Sequence, residues 1–467
     1  MVSAEAAPLA KTGGLADVLG SLPRALAEYG DQAAIVLPRY RRIDLEAARP
    51  VCEQLTIWLG TRSYETSVWV ADLTVPFYLV DCPELYDRDG LYGEAGVDYP
   101  DNPVRFAVFA KAALEVARGL FPADILHCHD WQAALVPVYL RNLYSLDPTL
   151  ITAKTLFTIH NLGYPGLFPA DVVPQIGLDG TAFHPEGMEF YGKVSYIKGG
   201  IMFSDALNTV SPTYAREIQT PEYGFGLDGA LRARADALTG ILNGVDDDEW
   251  NPATDPHLPA RYSAANLRGK SVCKRELLRE LGLPEAAMEG PLIGIVSRFT
   301  SQKGADLVAE AAPAMVADGM YLAALGTGEP EYEDSFRRLA VEYPGRIAVR
   351  IDFDDPLAHR IEAGSDLFLM PSQYEPCGLN QIYSMRYGTV PVVRKTGGLD
   401  DTIEEGTGFK FAEYSVNALL EAVRAAAAAF ADQDLWRAMM RRGMAKDFSW
   451  KAPAGAYSAL YRRLLGR

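Results

Sequence analysis

Leu292-Ile293-Gly294-Ile295-Val296-Ser297-Arg298-Phe299-Thr300-Ser301-Gln302-Lys303-Gly304 reads as a strand, a loop carrying two cations and the approach to a helix starting near Asp306. Apolar residues in an unbroken run, without polar alternation, suit a strand buried on both faces, and a parallel sheet covered by helices is the arrangement that buries both. Ligands of open parallel sheets lie beyond the carboxyl ends of the strands. Arg298 and Lys303 are therefore placed for chemistry: a guanidinium forks onto a diphosphate, and a lysine ammonium neutralises it as a compact charge.

The same unit recurs along the chain. Tyr321-Leu322-Ala323-Ala324-Leu325, Asp366-Leu367-Phe368-Leu369-Met370 and Val390-Pro391-Val392-Val393 follow in the second half. Ile35-Val36-Leu37, Phe77-Tyr78-Leu79-Val80, Ile125-Leu126-His127-Cys128-His129 and Leu156-Phe157-Thr158-Ile159 precede it, with a helical run from Val104 to Leu120. Strands alternating with helices predict an α/β protein with parallel sheets. The pattern restarts after Gly240, so two doubly wound, Rossmann-like domains are expected, residues 1–240 and 241–447, facing each other across a cleft. Residues 448–467 read as a terminal helix, and Ala425 to Ala429 lies within another.

Composition bounds the function. A chain of 467 residues exceeds one ordinary domain, and 49% hydrophobic with 22% charged residues is normal for a globular protein. No apolar run approaches the ~20 residues that span a bilayer. A net charge of −17 argues against nucleic-acid or anionic-membrane partners. Five irregularly spaced cysteines do not form a disulfide framework, and Met1 to Glu5 has no basic leader, so a cytoplasmic protein is expected.

Further candidates follow strand ends. In Lys11-Thr12-Gly13-Gly14-Leu15-Ala16-Asp17 two glycines allow close backbone approach at a helix start, with Lys11 suited to phosphate. His127-Cys128-His129-Asp130-Trp131 places two imidazoles on one strand face, which raises a metal site, but no further ligands follow at suitable spacing; a polar strand end is preferred. Asp130 and Trp131 suit sugar contact. His160-Asn161 follow the next strand, before a loop loosened by Gly163 and Gly166. Pro371 to Gln381 carries Glu375, Cys377 and Gly378 at the mouth of a helix. Cys377 as a nucleophile is disfavoured, because no histidine base adjoins it. Lys395-Thr396-Gly397-Gly398-Leu399 echoes the first glycine turn.

Taken in order, Lys11–Asp17, His129-Asp130-Trp131, Phe157–Leu162, Ile241-Leu242-Asn243-Gly244-Val245-Asp246, Arg298 with Lys303, Glu375-Pro376-Cys377-Gly378-Leu379 and Thr396-Gly397-Gly398-Leu399 resemble the bacterial glycogen and starch synthases, retaining glycosyltransferases of GT-B architecture. The likeness covers nearly the whole chain. It implies transfer of glucose from ADP-glucose to the non-reducing end of an α-1,4-glucan, with no metal or other cofactor. It implies that Lys11, Arg298 and Lys303 bind donor phosphates. Asp130, His160, Asn161 and Glu375 would surround the transferred glucose; His160, Glu375, Asp130, Arg298 and Lys303 are the catalytic set. Gly13, Gly14, Asn243, Phe353, Cys377, Gly378, Leu379, Thr396, Gly397 and Gly398 would complete substrate binding. The resemblance also carries the terminal helix back to the first domain.

Three positions depart from the family pattern. Met1-Val2-Ser3 leaves only a stub of the first strand, as if the start were displaced. Asp352-Phe353 stands where a Gly-Tyr pair is usual, which keeps a UDP-glucose donor or another acceptor open. Tyr383 occupies the place of a second glutamate in the broader group. A catalytically inactive glucan- or nucleotide-binding homologue would have lost Lys11, His160, Arg298, Lys303 or Glu375, and all are present. Oligomeric state is not legible.

Overall fold

The computed structural model describes residues 1–46, 48–94 and 96–467. They form two compact units, Met1–Gly244 with Trp450–Arg467, and Val245–Ser449.

The second unit is built on a six-stranded, all-parallel sheet. Its spatial order is Ile347–Arg350, Tyr321–Leu325, Leu292–Val296, Leu367–Met370, Val390–Arg394 and Phe409–Phe411. Strand order therefore reverses between Leu292–Val296 and Leu367–Met370, which pair through Ile293 opposite Leu367. Loops leaving this switch point diverge, opening the crevice typical of such sheets. Alternate residues feed opposite faces: Ile293 and Ile295 pack with Val308, Ala311 and Met315, while Leu292 packs with Leu277, Leu281 and Ile361. Gly294 lets the Asp355–Gly364 helix approach, since a Cβ there would lie 2.5 Å from Ser365 Oγ and 2.9 Å from an Ile361 methyl.

In the first unit, one four-stranded sheet runs Ile35–Pro38, Pro76–Asp81, Arg62–Asp72, Ala48–Leu59, and another Leu238–Gly240, Ala206–Thr209, Lys154–Ile159, Ile125–His129. Val2 bridges them, pairing in parallel with both Val36 and Cys128. The stub Met1-Val2-Ser3 is thus the link between the two sheets, and the terminal ammonium donates to Ala34 O at 2.7 Å.

One part of this sheet differs from the purely parallel reading. Ala48–Leu59 and Arg62–Asp72 form an antiparallel hairpin, and the latter is also antiparallel to Pro76–Asp81. The signal was present: Tyr64, Thr66, Val68 and Val70 are buried at period two, the mark of a half-exposed strand.

The helix Lys451–Leu464 belongs to the first unit. Tyr29 Oη donates to Lys451 O at 2.7 Å, Asn208 Nδ2 donates to Tyr457 Oη at 3.1 Å, and Tyr461 Oη lies 2.7 Å from His127 Nδ1. The terminal aromatics therefore complete the polar interior beneath the histidine strand. Among the described residues, no helix is long and apolar enough to cross a membrane.

Candidate active site

In the first unit, the candidates gather at the carboxyl ends of Ile125–His129 and Lys154–Ile159, with the Lys11–Gly14 turn following the Val2 bridge. The turn leads into the Gly14–Ala27 helix. Its conformation is held by a residue absent from the expected set. Glu5, buried, accepts from Thr12 N at 2.5 Å, Gly13 N at 3.2 Å, Thr12 Oγ1 at 2.7 Å and Tyr92 Oη at 2.6 Å. A carboxylate satisfying two turn N–H groups and two hydroxyls fixes the glycine loop without exhausting it. Around Gly13 the space stays open, with nothing within 4 Å of a built Cβ. Lys11 Nζ pairs with Asp17 Oδ1 at 2.6 Å. A lone acid in an apolar stretch, Ala4-Glu5-Ala6-Ala7, was the available signal for Glu5.

Asp130 opens the short helix after the histidine strand with φ 56°, in the left-handed region that a non-glycine residue adopts only under constraint. Its Oδ1 accepts from His160 N at 2.7 Å and Asn161 N at 3.4 Å, binding two strand ends together. Burial raises its pKa to about 7, against the lowering effect of those two N–H donors. Asn161 Oδ1 accepts from Gly163 N at 2.9 Å and shapes the following loop.

Three imidazoles form a chain beneath this surface. His129 Nδ1 lies 2.9 Å from His160 Nε2, and the His127 and His129 rings are 4.1 Å apart. His127 is engaged at both nitrogens, by Tyr461 Oη and by Thr158 Oγ1. Burial depresses all three, His160 to about 3 and the other two well below the ordinary histidine value. They are neutral at physiological pH, so His160 offers hydrogen bonding rather than positive charge. Trp131 packs edge-on against Phe106 at 4.8 Å and beside Phe168 at 5.7 Å, inside an aromatic cluster. Asn243 is buried, and its Oδ1 has no hydrogen-bond partner among the described residues.

In the second unit the switch point carries the charged set. Lys303 Nζ meets Glu375 Oε2 at 2.6 Å, and Ser372 Oγ donates to the same oxygen at 3.0 Å. Arg298 donates to Gln302 Oε1 at 3.2 Å. Gln373 N donates to Gln302 O at 2.8 Å, and Asn380 Nδ2 to Val296 O at 2.7 Å, so the loops after Leu292–Val296 and Leu367–Met370 are stitched together. Gly397 has φ 44°, and a Cβ there would fall 1.9 Å from Glu375 O; at Gly398 one would fall 2.1 Å from Cys377 O. The glycine pair therefore lets the third loop lie directly under the Glu375–Gly378 backbone. Gly398 N donates to Glu375 O at 3.2 Å. Gly378 has φ 70°, and the helix that follows Leu379 begins at Asn380. Cys377 is buried, with Thr396 buried beside the glycines. Phe353 stands apart from this set, 76% exposed at the end of the Ile347–Arg350 edge strand, with its N–H donating to Asp352 Oδ1 at 2.7 Å.

Residues 1–233 match the family described as the starch synthase catalytic domain, and residues 284–434 match glycosyl transferases group 1. The chain is 53% identical to a glycogen synthase of Anaeromyxobacter dehalogenans (strain 2CP-C), covering 99% of this chain and 98% of that protein. It is 48% identical to a glycogen synthase of Myxococcus xanthus (strain DK1622), with the same coverage. Among solved structures, the catalytic domain of Starch Synthase IV from Arabidopsis thaliana, bound to ADP and acarbose, superposes with a TM-score of 0.91 at 34% identity, covering 100% of this chain and 99% of that one. A sucrose-phosphate synthase from Thermosynechococcus elongatus shares the fold at 18% identity and a TM-score of 0.63 over 100% and 98% of the two chains.

Proposed function

Since the chain belongs to the glycogen synthase family of glycosyltransferases, we propose that it transfers glucose from ADP-glucose to the non-reducing end of an α-1,4-glucan with retention of configuration. The observation that carries the reading is the switch-point constellation, with Lys303 on Glu375, Arg298 alongside, and the Gly397-Gly398 cradle beneath. Arg298 and Lys303 suit a diphosphate leaving group, whose charge grows as the glycosidic bond stretches. Exposed, aromatic Phe353 is available to the nucleotide base. A starch synthase catalytic domain of the same fold is bound to ADP and acarbose, a donor product and an oligosaccharide, which supports both substrate classes.

In this reaction the bond between the anomeric carbon and the diphosphate oxygen breaks, and its electron pair leaves with ADP. The acceptor hydroxyl attacks from the same face, forming the new bond, and its proton passes to the departing phosphate oxygen. The protein's part is positioning and charge stabilisation. In the first unit Asp130 orients the His160 and Asn161 backbone, and neutral His160 is suited to a sugar hydroxyl. In the second, Glu375 balances Lys303, and its negative charge suits an oxocarbenium-like sugar. The transfer itself requires no metal in this scheme, because fixed cations neutralise the leaving group. Among the described residues no disulfide links the cysteines.

Glucose incorporation into glycogen from ADP-glucose and UDP-glucose, each with and without chelator, tests this. Chelator-resistant transfer preferring ADP-glucose is expected. Transfer from UDP-glucose alone would reassign the donor and implicate Asp352-Phe353; transfer abolished by chelator would refute the metal-independent route.

A further inference from the structure

One side-chain cluster in the second unit lies outside the set assigned above to glucosyl transfer. Asp355 and His359 are four residues apart on the Asp355–Gly364 helix, and therefore share a face. His257 comes to them from the irregular segment before the Arg268–Leu281 helix, its ring 4.9 Å from that of His359. One donor atom from each of His257, Asp355 and His359 lies within 4.8 Å of the others.

His359 is held from every side. It is 2% exposed, and its ring stacks on Trp250 at 3.8 Å and 9°. Tyr383 covers the other face of that indole at 3.9 Å. His359 Nδ1 lies 2.8 Å from Asp255 Oδ2 and 3.3 Å from Tyr387 Oη. With Asp255 as acceptor, Nδ1 carries a proton, which leaves Nε2, 3.8 Å from Asp355 Oδ2, as the nitrogen that can take a metal ion. A carboxylate bonded to the far nitrogen is the support that metal-ligating histidines characteristically have. The other oxygen of Asp255 accepts from His257 N at 2.8 Å, so one buried carboxylate orients both histidine positions.

We propose that His257, Asp355 and His359 form a three-ligand binding site for a divalent transition-metal ion of the zinc type. Two imidazoles and a carboxylate suit zinc, whereas calcium and magnesium prefer all-oxygen sets. Tetrahedral ligands ~2.0–2.1 Å from the ion lie ~3.4 Å apart. Exposed Asp355 and half-buried His257 must therefore close on fixed His359, with water free to take the fourth position. The bound ion ties the segment around His257 to the first turn of a helix that begins two residues after Phe353. It is a brace, separate from the residues that handle the donor phosphates.

The test is a zinc titration of the chelator-stripped, desalted full chain against a chromogenic competitor, repeated with His257→Ala and Asp355→Asn and, as a control that reports on the histidine chain of the first unit, with His160→Gln. His359 is left intact because its ring is part of the Trp250 stack. One ion per chain with a dissociation constant below about 1 μM is expected, weakened at least ~10-fold in either variant, with metal-free melting temperatures equal to wild type. Cobalt in place of zinc should give the visible absorption of a four-coordinate site, lost in His257→Ala. No saturable binding, equal affinity in the wild type and both variants, or affinity lost only in His160→Gln would overturn the proposal.

Discussion

Lys303 Nζ lies 2.6 Å from Glu375 Oε2, with the lysine side chain 20% exposed and the glutamate 6%. The pair joins the loops that leave the two strands flanking the switch point. Under the proposed reaction it would supply a cation to the leaving diphosphate, and it keeps a largely buried carboxylate compensated. A lysine has three donors, so it can serve Glu375 and a phosphate oxygen together.

Removing one partner should therefore do two things. Lys303→Ala is expected to lower kcat/KM for the nucleotide-sugar by ~10²–10³-fold, and to destabilise the protein by ~3–5 kcal/mol through the stranded carboxylate. The double variant Lys303→Met/Glu375→Gln should recover most of the melting temperature while remaining inactive. Recovery of both, measured by thermal unfolding and donor kinetics, would show the pair to be structural only.

The two glycine turns should respond oppositely to a methyl group. At Gly397 the left-handed φ and the 1.9 Å approach to Glu375 O leave no room, so Gly397→Ala should lower stability by at least ~1–3 kcal/mol. Gly13 has extended φ −164° and nothing within 4 Å, so Gly13→Ala should melt like wild type. A rise in donor KM confined to the Gly13 variant would mark its turn as a substrate contact.

Glu5 organises the Lys11–Gly14 turn through two backbone and two hydroxyl hydrogen bonds. Glu5→Ala should raise KM for substrate and increase amide exchange at Thr12 and Gly13, with Glu5→Gln intermediate. Unchanged exchange in Glu5→Ala would remove its positioning role.

Asp130 and His160 should imprint opposite pH dependences on stability. Folding raises Asp130 from 3.8 to about 7 through burial, so the folded state holds the extra proton and wild type loses stability as pH rises across that window. Asp130→Asn should therefore gain on wild type from pH 4 to 7 and then level off. Burial lowers His160 from 6.5 to about 3, so wild type loses stability as pH falls below 6.5. His160→Gln should gain on wild type as pH falls. Parallel melting curves across pH for all three proteins would refute both assignments.

Much of this was legible in the chain. Leu292–Val296 and Tyr321–Leu325 read as buried parallel strands because every position is apolar, and the loops after them read as functional because sheet topology places ligands there. The Ala48–Asp72 hairpin is harder to read: Gly60-Thr61 marks its turn and Arg62–Asp72 alternates, but the burial of Ala48–Leu59 follows no regular period. Glu5 was passed over because nothing local distinguishes a carboxylate that caps a turn seven residues later.

By itself, the sequence determined the α/β class, the alternation of buried strands with helices, and the loops that carry charge, since each depends on periodicity and composition within a few residues. Only the tertiary structure decided who meets whom. Lys303 finds Glu375 across 72 residues, His129 finds His160 across 31, and Tyr461 reaches His127 across 334. Such encounters are set by strand order and helix packing, which sum many weak apolar contacts over a whole unit, and no local pattern encodes that sum.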